Sequence, residues 1–225
     1  MHGERGTAAG PTDENAPWGG ATTRRSLLAG LTGIVAASVS PAARAVPVLP
    51  DYRITDSEIE ISATMPIYRP DTPTPTDPWL LFYIQHSQNP NTIVYTARRG
   101  TGSPFDPDQP IDVFWRRFSR QGEREPLTFF ERFFVFGPRT WPVGDNNTRY
   151  GARLAIYSAA RGLLELDEDN RPRIVGKIGD RDVKVVFAYA ELGNNAFIPK
   201  INFIDIIGVD LASGEYVKRR VRVGF

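Results

Sequence analysis

Hydrophobic residues recur at every second position in several short segments of the chain, which is the period of β-strands. In segment 79–84 both alternating sets are apolar, with Leu80, Phe82 and Ile84 on one face and Trp79, Leu81 and Tyr83 on the other. This pattern predicts a central strand that is buried on both sides. The sequence QNPN, residues 88–91, favours a turn, so Thr92–Arg98 is predicted to be the return strand of a hairpin.

More strands are predicted along the rest of the chain. The segments with strand-like alternation are Glu58–Ala63, Ile111–Arg116, Tyr150–Tyr157, Arg173–Ile178, Val183–Tyr189, Lys200–Val209 and Tyr216–Val223. The turn-forming sequences DEDNRP, GDR and DLASGE separate several of them. Closely spaced short strands predict a mainly β fold, an antiparallel β-barrel or sandwich of about eight or nine strands.

One segment, PLTFFERFFVFG, departs from this period. Thr128 and Glu131 have the spacing of a capping box, in which each residue bonds the other's backbone N–H at a helix start. Leu127, Phe130 and Phe134 recur at helical intervals. We therefore predict one short aromatic helix, which should pack on the sheet or plug a barrel end.

The first 45 residues have the features of an export signal. The pair Arg24-Arg25 precedes an apolar run, Leu27–Val39, which ends near Ala43-Arg44-Ala45. This order predicts a signal peptide of twin-arginine type, recognised by its export machinery and cleaved after Ala45. The ordinary secretory route is one alternative. A membrane anchor is another, but the run is shorter than the roughly 20 residues of a span. The mature protein is expected to be periplasmic or secreted, without a stable membrane span.

The remaining chain divides at a proline-rich stretch. The sequence PIYRPDTPTPTDP has five prolines in residues 66–78, which favour an extended backbone without ladder hydrogen bonds. Residues 46–78 are therefore predicted to form an extended N-terminal arm. Residues 79–225 are within the usual size of one domain and are predicted to form a single β-rich domain.

Composition excludes several kinds of function. The chain has 27 basic and 26 acidic residues, so it lacks the positive field expected of a nucleic-acid-binding protein. The absence of cysteine excludes thiol catalysis and cysteine metal sites, and the two histidines, His2 and His86, are too few for a multi-histidine site. Asp167–Asn170 does not continue into an EF-hand loop. No metal site or cofactor is evident.

Several sequence motifs resemble a known bacterial family. They are IQHSQNPNTIVYTAR, PIDVFWRRF, PLTFFERFFVFG and FIDIIGVDLASGEYV, and their most distinctive residues are Ser87, Asn89, Asn91, Tyr95, Pro110, Ile111, Trp115, Leu127, Glu131 and Gly137. Together these motifs resemble the uncharacterised family DUF4833 from roughly Trp79 to Val223. The resemblance implies a single β-rich domain and supplies no catalytic residues. An arginine is expected at position 86, so His86 departs from the family pattern, which argues against a special catalytic role for its imidazole.

Three residues are candidates for catalysis. His86 would titrate near neutral pH at a strand end, or else hydrogen-bond the adjacent turn. Asp205 lies among aliphatic residues on a predicted strand, so it must be paired or protonated if buried. A β-bulge that turns Asp205 outward, or an ion pair with an arginine, would explain it equally. Glu131 is the third candidate.

Aromatic residues near polar ones suggest a ligand site. The candidates are Trp79, Tyr95, Trp115 and Arg116, together with the Phe129–Phe134 cluster. The favoured hypothesis is a non-enzymatic exported β-domain that binds a small or extended ligand. One alternative is a hydrolase-like enzyme that uses carboxylates and His86. Another is an interaction module whose proline-rich arm docks an envelope protein.

Overall fold

The computed structural model describes residues 53–154, 161–193 and 200–224. All of them belong to the second of the two units into which the chain divides, Val46–Phe225. The predicted signal peptide, with Arg24, Arg25 and Ala45, lies outside the described residues. So does the end of the strand predicted at Tyr150–Tyr157.

Within the described residues, twelve β-strands form one sheet. They are β1 (Arg53–Ser62), β2 (Leu80–His86), β3 (Asn89–Ala97), β4 (Ile111–Arg117), β5 (Glu123–Pro126), β6 (Pro138–Pro142), β7 (Tyr150–Leu154), β8 (Arg161–Leu166), β9 (Pro172–Ile178), β10 (Arg181–Gly193), β11 (Lys200–Asp210) and β12 (Tyr216–Gly224). A 3-10 turn spans Phe118–Arg120, and a helical segment has an α-helical start at 129–130 and a π-helical part at Glu131–Val135. The prediction of a mainly β domain is confirmed.

The long strand β10 is the branch point of the sheet. Nine strands follow one another in the order β5-β4-β3-β2-β10-β9-β8-β7-β6 and form a curled half-barrel. Along one edge of β10, Arg181–Lys184 pairs with β9 and Phe187–Ala190 pairs with β2. The other edge of β10 pairs with β11, which leads to β12 and β1. Two branches, β2–β5 and β6–β9, therefore diverge from one strand.

The pairing of β2 with β10 is parallel, whereas the other strand pairs described are antiparallel. The register of β10 against β11 shifts between Val185 and Phe187, between the positions where β9 pairing ends and β2 pairing begins. A bulge of this kind increases the local twist of a strand.

Two apolar cores lie on opposite faces of β2. The first core fills the space between the two branches and includes Ile84 and Tyr95 from one branch and Leu164 and Ile174 from the other. The second core lies on the outer face and contains Tyr83, Val94, Phe114, Phe187, Tyr189 and Ile207. Since both faces of β2 are buried, the prediction of a doubly buried strand is confirmed.

The described part of the predicted N-terminal arm is tied to this domain. Strand β1 pairs with β12 along its whole length. After β1, residues 63–79 form no strand, and Tyr68 from this stretch stacks on Tyr189 with ring centroids 4.3 Å apart. Part of the arm is therefore an edge strand, and the proline-rich part that follows covers the second core.

The hairpin of β2 and β3 is confirmed, but its turn differs from the prediction. The turn consists of Ser87 and Gln88, and residues 89–91 already belong to β3. A register shift between Leu80 and Phe82 also changes the faces of β2. Leu81 joins the first core, and Leu80 packs against the second.

Three strands and the packing of the helix were not predicted correctly. Strands β5 and β6 are the two ends of the nine-strand path, where proline is tolerated because ladder donors are not needed. Strand β8, RGLLEL, has little alternation. In the helical segment Phe129, Phe133 and Phe134 are 72%, 51% and 46% exposed, so these rings do not pack on the sheet as expected.

Candidate ligand-binding cavity

An apolar cavity of about 140 Å³ lies between the two branches. Its walls include Phe82, Ile84, Tyr95, Phe136, Ile174 and Ile204. Ala188 and Ala190 of β10 and Ala152 of β7 also face it, and their short side chains leave space among larger neighbours. Protein interiors are otherwise packed with few voids larger than a water molecule. The cavity therefore results from small residues on strands whose neighbours carry bulky ones.

Tyr95 fixes one wall of the cavity. Its side chain is fully buried, its ring stacks on Phe82 with centroids 4.3 Å apart, and its hydroxyl donates a 2.8 Å hydrogen bond to the carbonyl oxygen of Phe136. Burial raises the pKa of the Tyr95 hydroxyl above its usual range, so the group stays neutral. The bond holds the chain after the helical segment against β3.

Trp115 and Glu131 connect β4 to the helical segment. The indole N–H of Trp115 donates to Glu131 Oε1 across 3.2 Å. Glu131 Oε2 accepts from the backbone N–H of Thr128 at 2.8 Å and from its hydroxyl at 2.9 Å. The backbone N–H of Glu131 donates to Thr128 Oγ1 at 3.3 Å, so the predicted capping box is present. Both carboxylate oxygens of Glu131 are thus engaged in structural hydrogen bonds.

His86 lies beside Trp115 at the end of β2. It is 8% exposed, and its ring meets the edge of Trp115 with centroids 6.1 Å apart. Its Nδ1 is buried without a hydrogen-bond partner among the described groups, so the expected bond to the turn is not made through this atom. Burial, and then the charges of Arg69 and Arg117, lower the pKa of His86 to about 4. The imidazole is therefore neutral at neutral pH.

Asp205 lies in the second core, away from the cavity. Its side chain is fully buried, and Arg220 donates to both carboxylate oxygens, from Nε at 2.8 Å and from Nη2 at 2.7 Å. The hydroxyl of Tyr68 donates to Oδ2 at 2.5 Å. Of the two structural explanations offered for Asp205, the structure shows the ion pair with an arginine and not the β-bulge that would turn the side chain outward. Asp205 does not meet His86 or Glu131, which both contact Trp115.

The four predicted ligand-binding residues do not form one site. Tyr95 lines the cavity, and Trp115 lies behind it, edge to face with Phe136 at 5.7 Å. Trp79 packs against Phe105 and under Arg99, outside the cavity lining. Arg116 binds Asp77 and the carbonyl oxygen of Gly122. It is therefore occupied in a structural ion pair.

Sequence reasoning missed the two charged residues of the described cavity lining, Arg153 and Arg161. They lie directly opposite each other on β7 and β8. Arg161 belongs to a strand that the alternation did not reveal. The sequence did contain a signal for the cavity itself, because the small residues Ala188 and Ala190 interrupt a strand of bulky apolar residues, β10.

No group of three or more His, Cys, Asp or Glu side chains that could hold a metal ion occurs within residues 53–154, 161–193 and 200–224. In the same part of the chain no helix is long and apolar enough to cross a membrane.

The residues behind the family resemblance tie separate segments together. Ser87 Oγ accepts from the backbone N–H of Leu192 at 3.0 Å, and Asn91 Oδ1 accepts from the hydroxyl of Ser119 at 2.8 Å. Gly137 follows the helical segment, and a Cβ atom at this position would lie 1.6 Å from the carbonyl oxygen of Arg132. Position 137 therefore requires glycine. Together with the bonds of Tyr95 and Trp115, these contacts hold the segments around the first core.

Comparison with known proteins identifies the family. Residues 82–220, more than half of the chain, match the family described as a domain of unknown function, DUF4833. Searches of curated proteins and of solved structures gave no match. The matched range begins in β2 and ends in β12, so it includes both branches and the strand that joins them. The chain therefore belongs to the DUF4833 family, as its sequence motifs indicated.

Proposed function

We propose that this protein is an exported β-domain that binds a small apolar ligand, or the apolar end of an extended one, without catalysing a reaction. The observation that carries the proposal is the apolar cavity of about 140 Å³ between the branches. An apolar cavity of roughly 150 Å³ in another protein stays dry and binds benzene. The proposed export rests on Arg24-Arg25 and the apolar run that follows.

The geometry gives less support to the hydrolase-like alternative. General acid–base catalysis needs titrating groups within hydrogen-bond reach of the same substrate atoms. Arg220 and Tyr68 occupy the oxygens of Asp205, and Thr128 and Trp115 occupy those of Glu131. The groups expected to act together are thus divided between two faces of the sheet.

The interaction-module alternative was predicted to use the proline-rich arm, but Met65 and Tyr68 of this arm pack against the second core. The exposed aromatic rings of the helical segment are a more accessible docking surface for such a module. The rings of Phe129 and Phe133 contact each other at a tilt of 35°, with centroids 4.4 Å apart, on the surface of the helical segment. An envelope protein could dock on this patch. Deletion of the predicted arm, residues 46–78, is not a suitable test of this alternative, because it also removes β1 and Tyr68. Phe129→Ser with Phe133→Ser is the better variant, and unchanged binding to a captured envelope partner would count against this alternative.

The cavity is tested by filling it. Ala188→Leu places three additional carbon atoms in the cavity, and Ala212→Leu makes the same change at an exposed turn position. We expect the purified protein to bind benzene in calorimetric titrations. This binding should be lost in the Ala188→Leu variant and retained in the Ala212→Leu variant. Thermal melting establishes that each variant is folded. Absence of benzene binding, or equal binding by both variants, would contradict the proposal.

A further inference from the structure

Three arginines form one cross-strand row on the branch β6–β9. Arg153 of β7 lies directly opposite Arg139 of β6 on one side and Arg161 of β8 on the other. Residues in such positions have Cβ atoms about 5 Å apart, and like charges directly opposite each other destabilise a sheet. The fold therefore places three positive charges where they repel one another.

The side chains of this arginine row point away from the cavity. Successive residues of a strand face opposite sides of the sheet. Ala152 of β7 and Leu164 of β8 belong to the first core, on the concave side of the curled sheet. Arg153 and Arg161 are an odd number of positions from them, so their side chains lie on the convex outer face, although both residues border the cavity. Arg139 shares the outer face because it is the strand partner of Arg153.

Acidic side chains of the described residues do not compensate the arginine row. In this part of the chain no carboxylate lies within ion-pair distance of any of the three guanidinium groups. Nearby arginines differ, because Arg149 and Arg173 both bind Glu165, at 3.2 and 2.7 Å. The whole chain is almost neutral, with 27 basic and 26 acidic residues. The positive charge of the outer face therefore results from how the fold distributes its charges.

An exposed tryptophan lies beside the arginine row. Trp141 follows Arg139 by two positions on β6, so it faces the same side of the sheet, and it is 40% exposed. Its strand partner on β7 is Gly151, where an added Cβ atom would overlap the indole ring. The indole therefore lies across β7, over the glycine. The outer face thus combines three guanidinium groups with an exposed aromatic ring.

A second exposed aromatic ring lies near the end of the row. Phe133 of the helical segment is 51% exposed and lines a groove together with Arg139. Exposed apolar groups next to unpaired positive charges are typical of a surface that contacts lipid. Lipid headgroups can rearrange around charges at strand spacing, and the bilayer interface takes up aromatic rings. One partner therefore satisfies both features of this face.

We propose that the convex outer face of β6–β8 docks on an anionic lipid surface. Arg139, Arg153 and Arg161 bind lipid phosphate groups, which guanidinium groups recognise through paired hydrogen bonds. Trp141 lies at the level of the headgroups, where tryptophan is enriched in membrane proteins. This inference does not depend on the proposed function of the cavity, which is on the opposite side of these strands.

The experiment measures cosedimentation of the purified unit Val46–Phe225 with lipid vesicles at neutral pH. This unit excludes the apolar run Leu27–Val39, whose own affinity for lipid would obscure the result. Vesicles of phosphatidylcholine are compared with an equal mixture of phosphatidylcholine and phosphatidylglycerol. We expect binding to the anionic vesicles that weakens as salt is added, and much weaker binding to the neutral ones.

Neutral side chains in the row isolate its contribution. Each arginine near an anionic surface contributes roughly fivefold to binding, so replacing all three should weaken it roughly a hundredfold. The variant is Arg139→Gln with Arg153→Gln and Arg161→Gln, and thermal melting establishes that it is folded. Brominated phosphatidylglycerol provides a second measurement, because it should quench the tryptophan fluorescence of the wild type more strongly than that of Trp141→Phe.

The matched control changes the net charge equally at three exposed arginines that bind carboxylates elsewhere. It carries Arg120→Gln, Arg171→Gln and Arg222→Gln. Because charges away from the contact surface are largely screened, this variant should bind the anionic vesicles within about threefold of the wild type.

Three results would overturn the proposal. The first is that the folded wild type does not bind the anionic vesicles. The second is an equal loss in the two triple variants, because net charge and not the outer face would then determine binding. The third is binding of soluble poly-L-glutamate through the arginine row without vesicle binding, which would indicate an acidic protein as the partner. The cavity function, tested with benzene, stands or fails separately.

Discussion

Trp115 donates its indole N–H to Glu131 Oε1, and this bond joins the first core to the helical segment. Glu131→Ala removes the acceptor for Trp115 and for both donors of Thr128. We expect the free energy of unfolding to fall by about 2 kcal/mol, since a capping interaction and a half-buried hydrogen bond are lost together. Urea unfolding measures this loss. Glu123→Ala, at an exposed ion pair with Arg120, should change the same quantity by less than about 0.5 kcal/mol.

The neutral state of His86 makes stability depend on pH. The imidazole has a pKa of 6.5 when unfolded and of about 4 in the fold. As pH falls from 6.5 toward 4, the unfolded chain binds a proton that the folded chain does not, so stability present above pH 6.5 is lost. The difference amounts to about 3 kcal/mol.

His86→Gln isolates this contribution from that of the carboxylates. Between pH 7 and pH 4 the unfolding free energy of the wild type should fall by about 3 kcal/mol more than that of the variant. Parallel curves for the two proteins over this range would show that the pKa of His86 does not change on folding, which would contradict its burial as a neutral group.

The buried pair of Asp205 and Arg220 is expected to be important for stability. Asp205→Asn leaves the guanidinium of Arg220, whose side chain is 26% exposed, without its counter-charge. We expect a loss of about 3 kcal/mol in the free energy of unfolding, because removing one partner of a buried ion pair leaves the other charge uncompensated. Asp71→Asn, which breaks the exposed pair with Arg69, should cost less than about 1 kcal/mol. Equal effects of the two substitutions would contradict the structural role of Asp205.

Export is expected to depend on the arginine pair. Arg24→Lys with Arg25→Lys keeps the charge but removes the twin-arginine signature, so the precursor should remain in the cytoplasm. Cell fractionation and the mass of the exported protein, which should begin at Val46, measure the outcome. Arg5→Lys is the control. Normal export of the double variant would exclude the twin-arginine route.

Alternation along the chain predicted most strands because it is a local property. It could not predict that β10 pairs in parallel with β2, since these strands are distant in sequence and nothing local specifies their contact. The cavity forms at that junction and was therefore not predicted either. The partner of Asp205 is a different case. Counting outward from the turn DLASGE places Asp205 opposite Arg220, so the ion pair was accessible from the sequence. The contact of Tyr68 with Asp205 could not be predicted in this way, because Tyr68 comes from a proline-rich stretch without periodicity.

The pairing of β1 with β12 also sets an order of events during synthesis. Arg53 lies opposite Gly224 and Ser62 opposite Tyr216, so the outer edge joins segments that are far apart in sequence. Contacts of such long separation form late, because the chain must close a large loop before they contribute. The ribosome must therefore release β12 before β1 can pair with it. A translocase that threads unfolded chain would deliver β1 long before its partner, whereas one that carries folded cargo would start after this edge has closed.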